Sequence, residues 1–313
     1  GEFSRLTAEE VQRRCASPLF GEGIFARRTA TLHPGKLALG LRSTLLDRGV
    51  RIHECTPAHS IASTGSGVEV ITAQGSVRAG SGVLACGVAT ADWPGLRRET
   101  TMTSSHMVIT EPVPDILDSL GWRGGEAIID GRTLVHYFRT TSDERIAFGW
   151  GGGMIGRGVR PGRSESMDLG LVSKVAADLQ GFFPAIEGRT LEHAWGGPID
   201  ASPTHMPAVR PVGSGRWHAA FGYTGNGVGP SRSCGLLLAQ RAVDPGSDPG
   251  VLAPLIVTDP LRVPPEPLRW LGGSAIMKAI DKVERAGSEG GGAGPLARAA
   301  ASLPERLGYS IGR

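Results

Sequence analysis

The stretch Phe221-Gly222-Tyr223-Thr224-Gly225-Asn226-Gly227-Val228-Gly229-Pro230, followed by the apolar run Leu236-Leu237-Leu238-Ala239, decides how the rest of the chain is read. A glycine-dense turn feeding straight into a helix leaves backbone N–H groups unpaired and adds the positive end of the helix dipole. Such a turn suits an electron-rich or anionic group.

Working outward, residues 7 to 15 read as a short helix, with Thr7 and Glu10 spaced as a capping box. Residues 34 to 48 read as a longer one: Pro34 opens it, Leu37, Leu41 and Leu45 share a face, and Gly49 stops it. Val50-Arg51-Ile52-His53 is expected to begin a strand. Short alternating runs broken by Gly65, Gly67, Gly75 and Gly80 then predict an antiparallel meander, closed by a buried strand Val83-Leu84-Ala85-Cys86. Residues 102 to 153 are strand-rich again and predict a second antiparallel sheet. A Gly- and Arg-rich loop is expected over 154 to 166, an amphipathic helix over 166 to 183 and extended structure over 191 to 212. Beyond Val243, prolines 254, 260, 264, 265 and 267 predict a tail that wraps rather than builds core, and Gly287 to Gly294, with five glycines in eight positions, predicts a flexible linker before a weak helix near 295 to 306.

Composition narrows the function classes. Lys and Arg number 33 against 30 Asp and Glu, for a net charge of +3, and the basic residues are scattered. A nucleic-acid partner is not expected. No stretch approaches the roughly 18 apolar residues of a membrane helix, so no membrane partner is expected either. Cys15, Cys55, Cys86 and Cys234 show no metal-ligand spacing and predict reduced, mostly buried thiols in a cytoplasmic protein without metal or disulfide, with Cys86 and Cys234 as small core residues. Gly1-Glu2-Phe3 in place of an initiating Met reads as a cloning scar or an internal start, so a partial gene product is expected.

Four motifs occur in an order that resembles a known family: Leu32-His33-Pro34-Gly35-Lys36-Leu37, Gly49-Val50-Arg51-Ile52-His53-Glu54, Val83-Leu84-Ala85-Cys86-Gly87 and Gly222-Tyr223-Thr224-Gly225-Asn226-Gly227-Val228. The chain is similar to the FAD-dependent amine and amino-acid oxidoreductases of the D-amino-acid oxidase, glycine oxidase and sarcosine oxidase superfamily. The run Pro264-Pro265-Glu266-Pro267-Leu268-Arg269-Trp270 resembles the C-terminal signature of a bacterial branch. The resemblance implies an α/β plus α+β fold, with an incomplete Rossmann-like FAD-binding layered domain and an antiparallel-sheet substrate domain. The implied division is 1–30 (start of the substrate domain), 31–100 and 211–247 (FAD-binding parts), 101–210 (substrate domain) and 248–313 (wrapping tail). It also implies that Ala58, Ala85, Cys86, Gly87, Gly225, Asn226, Gly227 and Val228 contact FAD. Covalent relatives use a cysteine near the strand and loop that run here from Trp195 to Pro207, and none lies there, so non-covalent FAD is implied.

One departure from the family is large: the opening strand, G-x-G-x-x-G turn and helix are missing. Gly151 to Gly156 matches the motif literally, but Arg157-Gly158-Val159-Arg160-Pro161 cannot start a helix. Two readings follow: a truncated chain, or one that works with a partner chain supplying the βαβ unit. Full-length, the expected activity is oxidation of the C–N bond of a small amine or amino acid by hydride transfer to flavin; the alternative is a catalytically silent chain or subunit that does not hold FAD alone.

For the chemistry, period-two alternation along Leu134 to Arg139 puts Tyr137 and Arg139 on one strand face, where guanidinium and phenol could both donate to one substrate carboxylate. The pair is the candidate catalytic site; an ordinary surface pair is the bland alternative. His106, His136, His193 and His205 could orient substrate or could be structural, and Trp122, Trp150 and Trp195 could line an apolar pocket or anchor core.

Overall fold

A computed structural model describes residues 2–93, 95–158, 166–213, 215–288 and 290–311. The chain opens with strand β1 (Phe3–Leu6), helix α1 (Ala8–Arg14) and β2 (Gly23–Ala26), which pairs antiparallel with β1. The capping box forms: the Thr7 hydroxyl accepts from the Glu10 amide, and the Glu10 carboxylate accepts from the Thr7 amide.

Helix α2 (Pro34–Asp47) forms where expected, with His33 as its cap. Its leucine stripe does not enter a core. Leu37, Leu39, Leu41, Leu45 and Leu46 are all exposed, Leu39 by 68%. The predicted strand at 50–53 is absent as well, because no neighbouring strand offers its backbone a ladder among the described residues. What ties this segment to α2 is the Arg42–Glu54 ion pair, at 2.7 and 3.0 Å.

The meander follows as β3 (Ala58–Ser63), β4 (Val68–Thr72) and β5 (Gly75–Ala79), a separate three-stranded sheet. Next, β6 (Gly82–Leu84) pairs in parallel with β13 (Trp217–Phe221), which also pairs antiparallel with β12 (Ala208–Val212). Glycine is required at 82, since a Cβ there would stand 2.2 Å from the Trp217 ring. The same indole donates to the Ala62 carbonyl at 3.3 Å and so holds the small sheet against this one. The strand predicted over 83–86 is shorter and less buried than expected. Leu84 is buried, Val83 is 41% exposed and Cys86 lies on the surface, because β6 is an edge strand. The four thiols are free, Cys15 and Cys234 buried, Cys55 and Cys86 exposed.

The second antiparallel sheet has the order β11-β7-β10-β9-β8, from β7 (Thr101–Thr110), β8 (Ala127–Ile129), β9 (His136–Thr140), β10 (Ile146–Trp150) and β11 (Leu191–Ala201). Strict alternation buries Ser104, His106, Val108 and Thr110 of β7 on one face. On that face Phe138, Ile146, Phe148 and Trp150 pack against α3 (Pro114–Ser119) and α4 (Leu169–Phe182). Phe138 and Phe148 stack with ring centroids 5.0 Å apart.

Helix α5 (Val228–Val243) follows β13 and seats Cys234, Leu237 and Leu238 against Val209 and Ala220. The tail departs from expectation. Residues 268–288 form α6 (Leu268–Ser288), and Ile276, Met277 and Ile280 join the core of the five-stranded sheet. The prolines end at its first turn, where its backbone needs no donor. Short helices α7 (Pro295–Ala301) and α8 (Leu303–Arg306) close the chain; the predicted linker is shorter than expected, since Gly287 still belongs to α6.

Candidate functional site

Because β6 and β13 are parallel, their carboxyl ends lie side by side, which places Ala85-Cys86-Gly87 beside the turn that leaves β13. Ligands of open α/β sheets bind outside such ends. Gly87 and Gly225 have φ values of +54° and +81°, which only glycine adopts without strain. A buried carboxylate holds the turn: Asp200 Oδ2 accepts from the Gly222 amide at 2.6 Å, and the Asp200 carbonyl accepts from Thr224 N at 3.1 Å. Burial pushes the Asp200 carboxyl up, against the lowering pull of the Gly222 amide. Thr224, at φ +52°, gives its hydroxyl to the Gly222 carbonyl and accepts from the Ser202 amide.

Beyond this clamp the amides of Gly225, Gly227, Val228 and Gly229 make no hydrogen bond among the described residues. They lie at and just before the start of the 16-residue α5, whose Gly227 cap provides no side chain. Asn226 donates to His205 Nε2 at 3.4 Å, and burial keeps that imidazole's pKa low. Of the four histidines, then, His205 is the one at the turn. Ala58 begins β3 on an exposed edge of the small sheet.

The turn abuts the uncovered face of the five-stranded sheet. Ala201 of β11 bridges Tyr223, and a Cβ at Gly225 would touch the Ile199 side chain at 3.7 Å. Across this face the register aligns Trp195, Met107, Gly149, Tyr137 and Ile129 in one row. Gly197 opposes Ser105 in the row nearer the turn, and a Cβ at Gly197 would meet nothing within 4 Å. Gly197 leaves this face low near the turn, with Trp195, which is 40% exposed, beside it on the same strand.

Tyr137 and Arg139 share this face, as alternation predicted. Tyr137 lies flat across Gly149: a Cβ on that glycine would stand 2.4 Å from Cζ and 2.6 Å from the phenol oxygen. The phenol is hydrogen-bonded to the Ser105 hydroxyl, and burial raises its pKa. Arg139 lies in the next row, and its side chain makes no ion pair or hydrogen bond among the described residues. The expected joint donation by Tyr137 and Arg139 to one carboxylate does not follow from this arrangement, because the phenol is engaged by Ser105.

His136 is on the opposite face and does not orient substrate. It is fully buried, with Nδ1 2.8 Å from Asp130 Oδ2 and Nε2 3.0 Å from Asp178 Oδ2, while Lys174 also reaches Asp178 at 2.5 Å. Burial disfavours its charge, but the two aspartates outweigh it and raise its pKa. His106 is buried on the same core face, and Trp122 and Trp150 are core residues; only Trp195 reaches the open face. The Gly151–Gly156 motif folds back along β7 instead of capping a helix, with Ser104 N donating to Met154 O at 3.0 Å. The Gly- and Arg-rich segment 159–165 lies outside the described residues. A cavity of about 510 Å³ occurs elsewhere, between Arg97, Arg98, Arg157 and the Pro264-Pro265-Glu266 run, and none of residues 85–87 or 225–228 lines it.

Reading the sequence alone missed Asp200, Ser105 and Gly149. Gly149 and Gly151 at alternate positions were a signal of a bare strand face; the partners of Asp200 and Ser105 lie on distant strands.

Comparison with known proteins agrees with this architecture. Residues 1–241 match the family described as FAD dependent oxidoreductase. A probable oxidoreductase OrdL of Haemophilus influenzae is 25% identical over 236 residues, covering 74% of this chain and 52% of the relative. Gamma-glutamylputrescine oxidoreductase of Escherichia coli is 24% identical over 241 residues, covering 76% and 54%. The chain therefore spans about half the length of the curated relatives it matches. Among solved structures, glycine oxidase from Geobacillus kaustophilus superposes with a TM-score of 0.66 at 21% identity, over 83% of this chain and 67% of that one. Iminodiacetate oxidase from Chelativorans sp. BNC1 does so with 0.63 at 20%, over 83% and 68%.

Proposed function

Since the chain belongs to the FAD dependent oxidoreductase family, we propose that it forms the flavin-capping and substrate-covering part of an enzyme that oxidises the C–N bond of a small amine or amino acid. The observation that carries this reading is the set of unpaired amides of Gly225, Gly227, Val228 and Gly229, beside the carboxyl ends of two parallel strands and next to the open sheet face around Gly197. In this reading residues 31–100 and 211–247 belong to the flavin-holding part and 101–210 form the cover.

The residues present fit a flavin on this side. Gly225, Asn226, Gly227 and Val228 would donate to the electron-rich edge of the ring, and the positive end of α5 would favour negative charge there. Ala85, Cys86 and Gly87, exposed at the end of β6, would run along the rest of the cofactor, and Ala58 is assigned to its adenine end by resemblance alone. When bound, FAD supplies the hydride acceptor. The chain's own task is to hold the substrate: Arg139 donates to a carboxylate, Tyr137 fixes the amine end, and Trp195 with Met107 excludes water beside them. No cysteine lies near the 195–207 loop, where covalent relatives carry one, so binding is non-covalent, and acid precipitation should release all yellow colour.

A second reading has its own support. The exposed stripe of α2, the unpaired segment 50–53 and the free edge of β6 each leave uncovered what a parallel βαβ unit would complete, whether from the same polypeptide or from a partner chain. Until that unit docks, the chain alone is catalytically silent. Size exclusion of the chain with FAD, with and without a polypeptide bearing such a unit, tests both. Flavin absorbance that co-elutes only with the unit present, and bleaches with an amine donor, supports the proposal. Flavin that never co-elutes sinks it.

A further inference from the structure

The directions of two hydrogen bonds determine what Tyr137 can offer a ligand. Ser105 Oγ lies 3.0 Å from the Trp150 carbonyl oxygen, which can only accept, so the single Ser105 proton is directed there. Tyr137 is bonded to the same Ser105 oxygen. With no second proton on Ser105, the phenol must donate, and its only proton is consumed within the sheet. What remains free on the Tyr137 oxygen is a lone pair.

Geometry holds this arrangement. Gly149 leaves the ring room to lie across β10 from β9 to β7, since a Cβ there would collide with Cζ, Cε2 and the hydroxyl at 2.4 to 2.6 Å. Burial keeps the phenol neutral at physiological pH. Two residues along the same face, Arg139 carries donors only and no partner among the described residues. The face therefore presents one acceptor and one cationic donor. A carboxylate would be repelled by the first and bound by the second, while an amine N–H matches the first.

Resting on the oxidoreductase reading above, we propose that Tyr137 reads the amine, accepting a hydrogen bond from substrate N–H, so that the substrates are primary or secondary amines. The neutral form of such an amine, the form that surrenders a hydride, still carries an N–H. A neutral tertiary amine carries none and leaves the phenol oxygen unpartnered.

The test has two arms. The chain contains three tyrosines, so ¹³Cζ-tyrosine labelling gives three resonances, assignable by Tyr→Phe variants. Ser105→Ala should shift the Tyr137 resonance and leave Tyr223 and Tyr309 in place; an unmoved Tyr137 resonance overturns the donor assignment. In the second arm the chain, loaded with FAD in the presence of the βαβ unit, is reduced anaerobically by an N-methyl amino acid and by its N,N-dimethyl counterpart. We expect about tenfold weaker apparent binding of the dimethyl compound, the loss of one hydrogen bond near 1.4 kcal/mol, and a much smaller ratio in Ser105→Ala, where the phenol proton is freed. Equal reduction by both compounds overturns the amine assignment while leaving the oxidoreductase reading intact. Reduction by no amine, with the Tyr137 resonance shifting as expected, overturns the substrate class and the oxidoreductase reading together and leaves the hydrogen-bond direction standing.

Discussion

Gly149→Ala would place a methyl group where the Tyr137 ring now lies. The added Cβ stands 2.4 Å from Tyr137 Cζ, whereas carbon atoms rest at about 3.5 to 4.0 Å, so ring or strand must give way by about 1 Å. Both strands are held on both sides, β10 between β7 and β9, and β9 between β10 and β8, so the ring moves before the backbone does. Overpacking of this kind costs about 1 to 3 kcal/mol. Losing the Tyr137–Ser105 bond adds about 1 kcal/mol. Urea unfolding should therefore show Gly149→Ala destabilised by about 2 to 4 kcal/mol, with the Tyr137 ¹³Cζ resonance moved. A double-mutant cycle isolates the cause: in a Tyr137→Ala background the same substitution should cost under about 1 kcal/mol, because the clash is gone. A cost that is the same in both backgrounds would refute the placement of the ring over Gly149.

The buried His136 makes stability depend on pH. Its folded pKa is raised, so its contribution is complete below the unfolded value near 6.5 and is lost as pH climbs through the folded value. Unfolding free energy measured from pH 6 upward should fall more steeply in the wild type than in His136→Leu, which at pH 6 should be roughly 3 kcal/mol less stable, the low end for a broken buried pair because Asp178 keeps Lys174. Asp200→Ala strands the buried Gly222 amide and should cost about 1 to 3 kcal/mol in thermal or urea unfolding, with faster hydrogen exchange at Gly222. Leu41→Glu, on the exposed stripe of α2, should change the chain's own stability by less than about 0.5 kcal/mol yet weaken association with a βαβ unit in a pull-down titration.

What could be read from the chain alone was what local chemistry dictates. Pro34 and the leucine spacing give α2, alternation puts Tyr137 and Arg139 on one face, and the glycines of 222–229 give a turn opening a helix. Pairing across the chain was out of reach. The spacing of Leu37, Leu41 and Leu45 says that a face seeks cover but not that cover is present, and Val50 to His53 has strand-forming residues without a partner strand. Asp200 meets Gly222 beside the isolated Ala201–Tyr223 bridge between two sheets, and Ser105 meets Tyr137 across β10, and no short window encodes either approach. The prolines before Leu268 drew the tail toward a wrapping strap, although Ile276 and Ile280, one helical turn apart, already mark the buried side of α6.

The most direct measurement of whether residues 225–228 cap a flavin is the dissociation constant of FAD, read by fluorescence quenching, for the chain combined with a βαβ unit and for its Gly225→Val variant. Gly225 stands at φ +81° against Ile199, so valine should deform the turn and weaken FAD by at least tenfold while far-UV circular dichroism stays the same. Equal affinity for both proteins would contradict the account.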